Sequence, residues 1–78
     1  MYYAKIVEVK KREDCVIFVV NYIDDKTDET ISNEYSFVNI KEIEIKGLVQ
    51  KELERINELD KKFKTVKKEY LNMVIKNG

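Results

Sequence analysis

Apolar side chains recur at helical spacing through the C-terminal half of the chain. Steps of three, four or seven residues separate the members of this stripe, which are Ile45, Val49, Ile56, Leu59, Phe63, Val66, Tyr70 and Met73. Neither proline nor glycine interrupts the chain from Leu48 to Asn77. The pattern predicts one long amphipathic helix over residues 46–77. From Ile56 onward the spacing is that of the core positions of a coiled coil.

The N-terminal half alternates between apolar and polar positions in three segments bounded by polar turns. The predicted strands are residues 2–10, 15–23 and 30–38. Their short connections favour an antiparallel meander in the order 1-2-3. The second strand is apolar on both faces, which is typical of a central strand that is covered twice. In the first strand, strict alternation places Val7 and Val9 on one face and Ile6 on the other.

The link between the meander and the helix has two interpretations. Asn39 followed by Glu42 has the form of a capping box, which would start the helix at Ile40. Ile43 and Ile45 instead alternate as residues of a strand do. We therefore expect an extended or turning link through Ile45 and a helix that begins at the next residue.

These elements predict an α+β fold, a three-stranded antiparallel β-meander followed by one long C-terminal amphipathic helix. Residues 1–78 are expected to form a single domain, with the meander and link over residues 1–45 and the helix over residues 46–77. Roughly 30 helical residues extend about 45 Å, whereas a strand of about eight or nine residues spans only about 28 Å. The helix should therefore outrun its sheet and leave part of its apolar stripe without cover.

The uncovered stripe predicts a homo-oligomer and further protein partners. The expected interface residues are Val49, Leu53, Ile56, Leu59, Phe63, Val66, Tyr70 and Met73. A helix that simply covers its own sheet explains the same spacing and stays as the alternative. The formal charge is about −3 for residues 1–38 and about +3 for residues 39–78, so electrostatic attraction between copies is possible within the screening length of about 8 Å.

The composition argues against catalysis. The chain has no histidine and one cysteine, Cys15, so it has neither a Cys-His nucleophile nor a Cys/His zinc site nor an internal disulfide. It also lacks a glycine-rich phosphate loop. We expect no enzymatic activity, no cofactor and no small-molecule substrate, and we interpret Cys15 as a buried strand residue of a protein that folds in a reducing compartment.

The acidic turn over residues 24–29 is the segment that most resembles a metal site. Asp24, Asp28 and Glu29 could offer oxygen ligands to Ca²⁺. Lys26, however, occupies a position where an EF-hand loop needs a ligand. We therefore expect an ordinary solvated hairpin loop without a metal.

The most basic part of the chain is the run over residues 61–68. Its lysines and the neighbouring aromatic residues resemble the arrangement that binds single-stranded nucleic acid. On a helix, however, Phe63, Val66 and Tyr70 belong to the apolar stripe, whereas the lysines lie on the other side. We expect a solvated face that also suits the negative end of the helix dipole, with nucleic-acid binding as the alternative.

Hydropathy gives no sign of a membrane or secretion segment. No run approaches the ~18 continuous apolar residues of a membrane span, and the N-terminus lacks the layout of a signal peptide. The expected location is the cytoplasm.

The middle of the chain carries a pattern that bears on where the protein acts. The residues 35–43 (YSFVNIKEI) lead into residues 53–60 (LERINELD), and this pattern resembles small phage and prophage proteins of AT-rich Gram-positive bacteria. The resemblance covers residues 31–60 and implies a β-meander before a charged helix and a role in a virion or its assembly. It transfers no active site.

The function that these observations predict is a non-catalytic structural or assembly module that self-associates through its long helix. Two alternatives remain: a nucleic-acid-binding accessory protein and a small protein that modulates a larger enzyme.

Overall fold

The alternating segments form a sheet and the apolar stripe forms a helix in the computed structural model of this chain, which describes residues 1–39, 41 and 43–77. The elements are β1 (Tyr2–Arg12), β2 (Cys15–Asp24), β3 (Thr30–Phe37) and α1 (Ile45–Tyr70). The strands pair antiparallel in the order β1-β2-β3. The predicted α+β fold, a three-stranded meander followed by one C-terminal helix, is confirmed.

The core lies between one face of the sheet and the first half of α1. Val20 and Tyr22 of β2 are fully buried there, together with Tyr2 of β1 and Ile56 of α1. Partly buried side chains surround them, namely Ala4, Phe18, Tyr35, Ile45, Val49 and Leu53. The inward-facing side chains of β2 and the apolar side chains of the first half of α1 therefore pack in one layer.

Side chains of the neighbouring strands cover part of the other face of β2. Ile17 points away from the core cluster, yet it is only 4% exposed. Lys10 pairs with Ile17 in the β1–β2 register, and its Nζ lies 3.5 Å from Oε1 of Glu8 and 3.7 Å from Oε1 of Glu34 on β3. These long side chains reach across β2, and their aliphatic stems cover apolar surface. On this face Ile17 is buried, whereas Cys15, Val19 and Ile23 are half-buried, so the second cover that the pattern predicted is partial within this chain.

A β-bulge at Val7 changes the faces of β1. Ile6 lies opposite Val20, and the register then shifts so that Val7 has no partner on β2. After this extra residue Val9 pairs with Phe18, which lies on the same face as Val20. The predicted placement of Val9 on the face opposite Ile6 is therefore wrong, because one inserted residue moves every later side chain to the other face.

Helix α1 begins at Ile45, one residue before the predicted start. The side chain of Asn39 accepts a hydrogen bond from the backbone N–H of Lys41 at 3.1 Å, so it braces a local turn ahead of the helix. The alternative start at Ile40 and its capping residue Glu42 lie outside the described residues. The helix nevertheless starts after that position, as the alternation of the link predicted.

The C-terminal end of α1 is shorter than the pattern predicted. The helix ends at Tyr70, whereas the absence of proline and glycine had suggested a helix through Asn77. The N–H of Leu71 still donates to the carbonyl of Lys67 at 2.8 Å, but Asn72 adopts a left-handed conformation with φ of 69°. Asparagine tolerates this conformation better than most residues, so it can end a helix in place of glycine.

Candidate interaction surface on the projecting helix

Helix α1 leaves the sheet at Asn57. The backbone N–H of Tyr2 donates to Oδ1 of Asn57 at 2.7 Å, and Nδ2 of Asn57 donates to the carbonyl of Tyr2 at 3.3 Å. The preceding residue, Ile56, is the buried residue of the helix, at 5% exposure. Hydropathy did not single out Asn57, although an amide carries the donor and the acceptor that a strand end needs. We call residues 58–70, which follow it, the projecting segment.

The projecting segment extends beyond the sheet. It continues for about 20 Å after Asn57 at ~1.5 Å per residue. The 26 residues of α1 extend about 39 Å, whereas the ten residues of β2 span only about 33 Å. The helix therefore outruns the sheet that its first half covers.

Four apolar side chains form an exposed row on the projecting segment. We call this row the seam; its members are Leu59, Phe63, Val66 and Tyr70, and each is 50–59% exposed. All four were predicted interface residues. A contiguous apolar row of this kind is typical of a protein–protein contact site, whereas single exposed apolar residues are ordinary.

The other predicted interface residues have different positions. Val49 and Leu53 pack against the core cluster, and Ile56 belongs to it. In the single chain they pack on its own sheet, so they are not part of the exposed row. Met73 lies beyond the end of α1 and is 53% exposed. The stripe thus has two roles, since its first part holds the helix on the sheet and its second part is exposed.

A groove of about 430 Å³ runs between the projecting segment and the edge of the sheet. Apolar and charged side chains line it, among them Tyr2, Glu29, Ile31, Arg55, Leu59, Asp60 and Phe63. Burial, and then the carboxylate of Glu29, raise the pKa of the Tyr2 phenol. Two members of the seam belong to this lining, so the exposed apolar surface continues from the helix to the sheet edge.

Charged side chains lie beside the seam. Nζ of Lys62 is 3.8 Å from Oε1 of Glu58, and Nζ of Lys64 is 3.3 Å from Oδ2 of Asp60. Both pairs are four residues apart on the helix, which is the spacing that brings side chains together. Carboxylates therefore lie among the lysines of the basic run.

The acidic turn is organised around its first aspartate. Oδ1 of Asp24 accepts the N–H of Lys26 at 2.9 Å, and the carbonyl of Asp24 accepts the N–H of Asp28 at 3.0 Å. The hydrogen bond from Lys26 lowers the pKa of the Asp24 carboxyl. In the part of the chain that the structure describes, no three carboxylate or thiol side chains gather as metal ligands would. Asp24 therefore braces the hairpin.

Two other titratable groups have structural positions. Cys15 is half-buried with Sγ 3.5 Å from Oδ1 of Asp14, and burial followed by this contact raises the pKa of the thiol. The hydroxyls of Tyr22 and Tyr35 share a hydrogen bond of 2.7 Å, and burial raises the pKa of Tyr22. A raised thiol pKa disfavours the thiolate, and the tyrosine pair satisfies the hydrogen bonding of two hydroxyls at the core.

Comparison with protein-family models, with characterised proteins and with solved structures gives no match to this chain. Within residues 1–39, 41 and 43–77, no helix combines the length and the apolar character needed to cross a lipid bilayer. Function is therefore inferred from the exposed seam and its surroundings.

Proposed function

We propose that the protein is a non-catalytic structural or assembly module that self-associates through the seam. The observation that carries this proposal is the exposure of four apolar side chains on the part of α1 that follows its last core residue, Ile56. Removing apolar surface from water is favourable by about 25 cal/mol per Å². A partner that covers the seam therefore stabilises the complex.

The spacing of the seam favours a helical partner. Leu59, Phe63, Val66 and Tyr70 follow one another at steps of four, three and four, the spacing at which side chains of one helix insert between those of another. A second copy of this chain presents a helix with the same spacing and the same exposed length. A second copy of the chain can thus cover the seam without any other protein.

The lysine-rich face supports a nucleic-acid partner less well. Glu58 and Asp60 lie within ion-pair distance of Lys62 and Lys64 and would repel a phosphate backbone. Phe63 lies on the seam beside Lys62, but the acidic residues among these lysines interrupt the continuous cationic groove that single-stranded nucleic acid needs. The arrangement therefore favours a protein partner.

The resemblance of residues 31–60 to phage and prophage proteins suggests a setting for such a module. A virion or its assembly is built from repeated copies of small proteins, and a projecting helix that binds its own kind suits that use. The cytoplasm or the virion is the corresponding location in this proposal.

Sedimentation equilibrium of the purified protein tests the proposal. We expect the average mass to rise from 9.3 kDa at about 5 μM toward at least twice that value at about 500 μM, since small interfaces give dissociation constants in the micromolar range. A mass that stays at that of one chain over the whole range would reject self-association.

A further inference from the structure

We propose that the seam is completed by the projecting segment of a second copy that lies antiparallel to it, with Phe63 opposite Val66 and Leu59 opposite Tyr70. This arrangement rests on the proposed self-association and specifies its geometry. Two properties of the chain select it independently: the length of the projecting segment and the charges on either side of the seam.

The length argument starts from the two ends of the projecting segment. The sheet edge reaches α1 at Asn57, where Tyr2 is hydrogen-bonded to it, and the helix ends at Tyr70. In the proposed register the last helical residue of the second copy lies opposite Leu59, three residues after the buried Ile56. The projecting segment of each copy therefore covers the seam of the other from Leu59 to Tyr70.

The two neighbouring antiparallel registers cover the seam less well. A shift of one heptad inward places Tyr70 of the second copy opposite Glu52, where the helix already packs on its own sheet between Val49 and Leu53. A shift of one heptad outward leaves overlap only between residues 66 and 70. Of these three registers, the proposed one is that in which two helices overlap over the whole seam and the second helix ends before the residues of α1 that pack in the core.

The charge argument concerns the four charged residues that flank the seam. In the heptad that contains the seam, Asp60 and Lys67 flank it on one side, and Lys62 and Glu69 flank it on the other. The proposed register places Asp60 opposite Lys67 and Lys62 opposite Glu69 of the second copy. Because the pair has twofold symmetry, each contact occurs twice, and all four contacts join opposite charges.

Other arrangements bring like charges together. A parallel pair places Lys62 next to Lys67 of the second helix. The antiparallel register shifted inward opposes Asp60 to Asp60 and Lys62 to Lys62, and the register shifted outward opposes Lys67 to Lys67 and Glu69 to Glu69. Like-charge contacts disfavour alternative pairings of helices, so the charges select the register that the length also selects.

Charge reversal at the exposed pair of Lys62 and Glu69 tests the register. We expect the variants Lys62→Glu and Glu69→Lys each to raise the dissociation constant about tenfold, since two attractive contacts become repulsive. The double variant K62E/E69K should return to within about threefold of the wild type. An equimolar mixture of the two single variants should likewise associate, because the carboxylate introduced by the first substitution then meets the ammonium group introduced by the second.

Lys61→Glu is the matched control, since it makes the same charge change on the side of the helix away from the seam. We expect it to alter the dissociation constant by less than about threefold. Tighter association of Lys62→Glu would indicate a parallel pair and overturn the proposal. Equal effects of Lys61→Glu and Lys62→Glu would overturn it as well. A wild type that stays monomeric in the same experiment would instead reject the proposed function itself.

Discussion

Alanine at Ile56 is expected to lower the free energy of unfolding by about 2–5 kcal/mol, the usual cost of truncating a large buried side chain. Ile56 is 5% exposed and lies in one cluster with Tyr2, Val20 and Tyr22. Truncation would leave a cavity between the helix and the sheet just before Asn57, where the helix leaves it. Chemical denaturation of the protein at about 5 μM, where self-association contributes little, measures this loss.

Alanine at Leu59 is the matched control, because it removes a similar side chain from the same stripe three residues later. Leu59 is 57% exposed in the single chain, so we expect a loss below about 1 kcal/mol in the same dilute sample. The two variants should therefore differ by more than about 1 kcal/mol. Equal losses would show that the division of the stripe between core and seam is misplaced.

Glutamate at Phe63 is expected to weaken self-association more than about 100-fold. Phe63 is central in the seam, and a symmetric pair would lose two aromatic side chains from its interface, each worth about 1.5–3 kcal/mol when buried. It would also bury two carboxylates without partners. The free energy of unfolding of the dilute chain should change by less than about 1 kcal/mol, because the ring is 58% exposed there.

Thr65→Glu controls for the added charge. Thr65 is exposed two residues after Phe63, on the other side of the helix, where its hydroxyl donates to the carbonyl of Lys61 at 3.3 Å. The substitution should change the dissociation constant by less than about threefold. Sedimentation equilibrium of both variants beside the wild type separates loss of the seam from an effect of charge alone. An unchanged association of Phe63→Glu would show that Phe63 does not contribute to the contact.

Much of the fold could be predicted because apolar periodicity reports secondary structure directly. Alternation identified the three strands, and the double-faced second segment is the central strand. Periodicity could not reveal the bulge at Val7, because an inserted residue changes the pairing while the local composition stays the same. Nor could it reveal the end of the helix, because Asn72 reaches the left-handed conformation through its own backbone preference.

The candidate surface was predictable in part for a similar reason. The spacing of Leu59 and Phe63 indicates a helical contact, but the same spacing continues back to Ile56 and Val49, where the chain's own sheet is the partner. Only the position of the sheet edge divides the stripe, and that edge is defined by hydrogen bonds between Tyr2 and a polar residue. Sequence periodicity carries no signal for such a tertiary contact.

Amide hydrogen exchange at two protein concentrations, about 5 and about 500 μM, locates the contact most directly. We expect the amides of residues 60–70 to exchange several-fold more slowly at the higher concentration, because a second helix covers the seam. The amides of residues 49–57 should exchange at the same rate in both samples, since they are held by the chain's own sheet. Exchange of residues 60–70 that does not depend on concentration, in a protein whose mass does, would contradict the assignment of self-association to the seam.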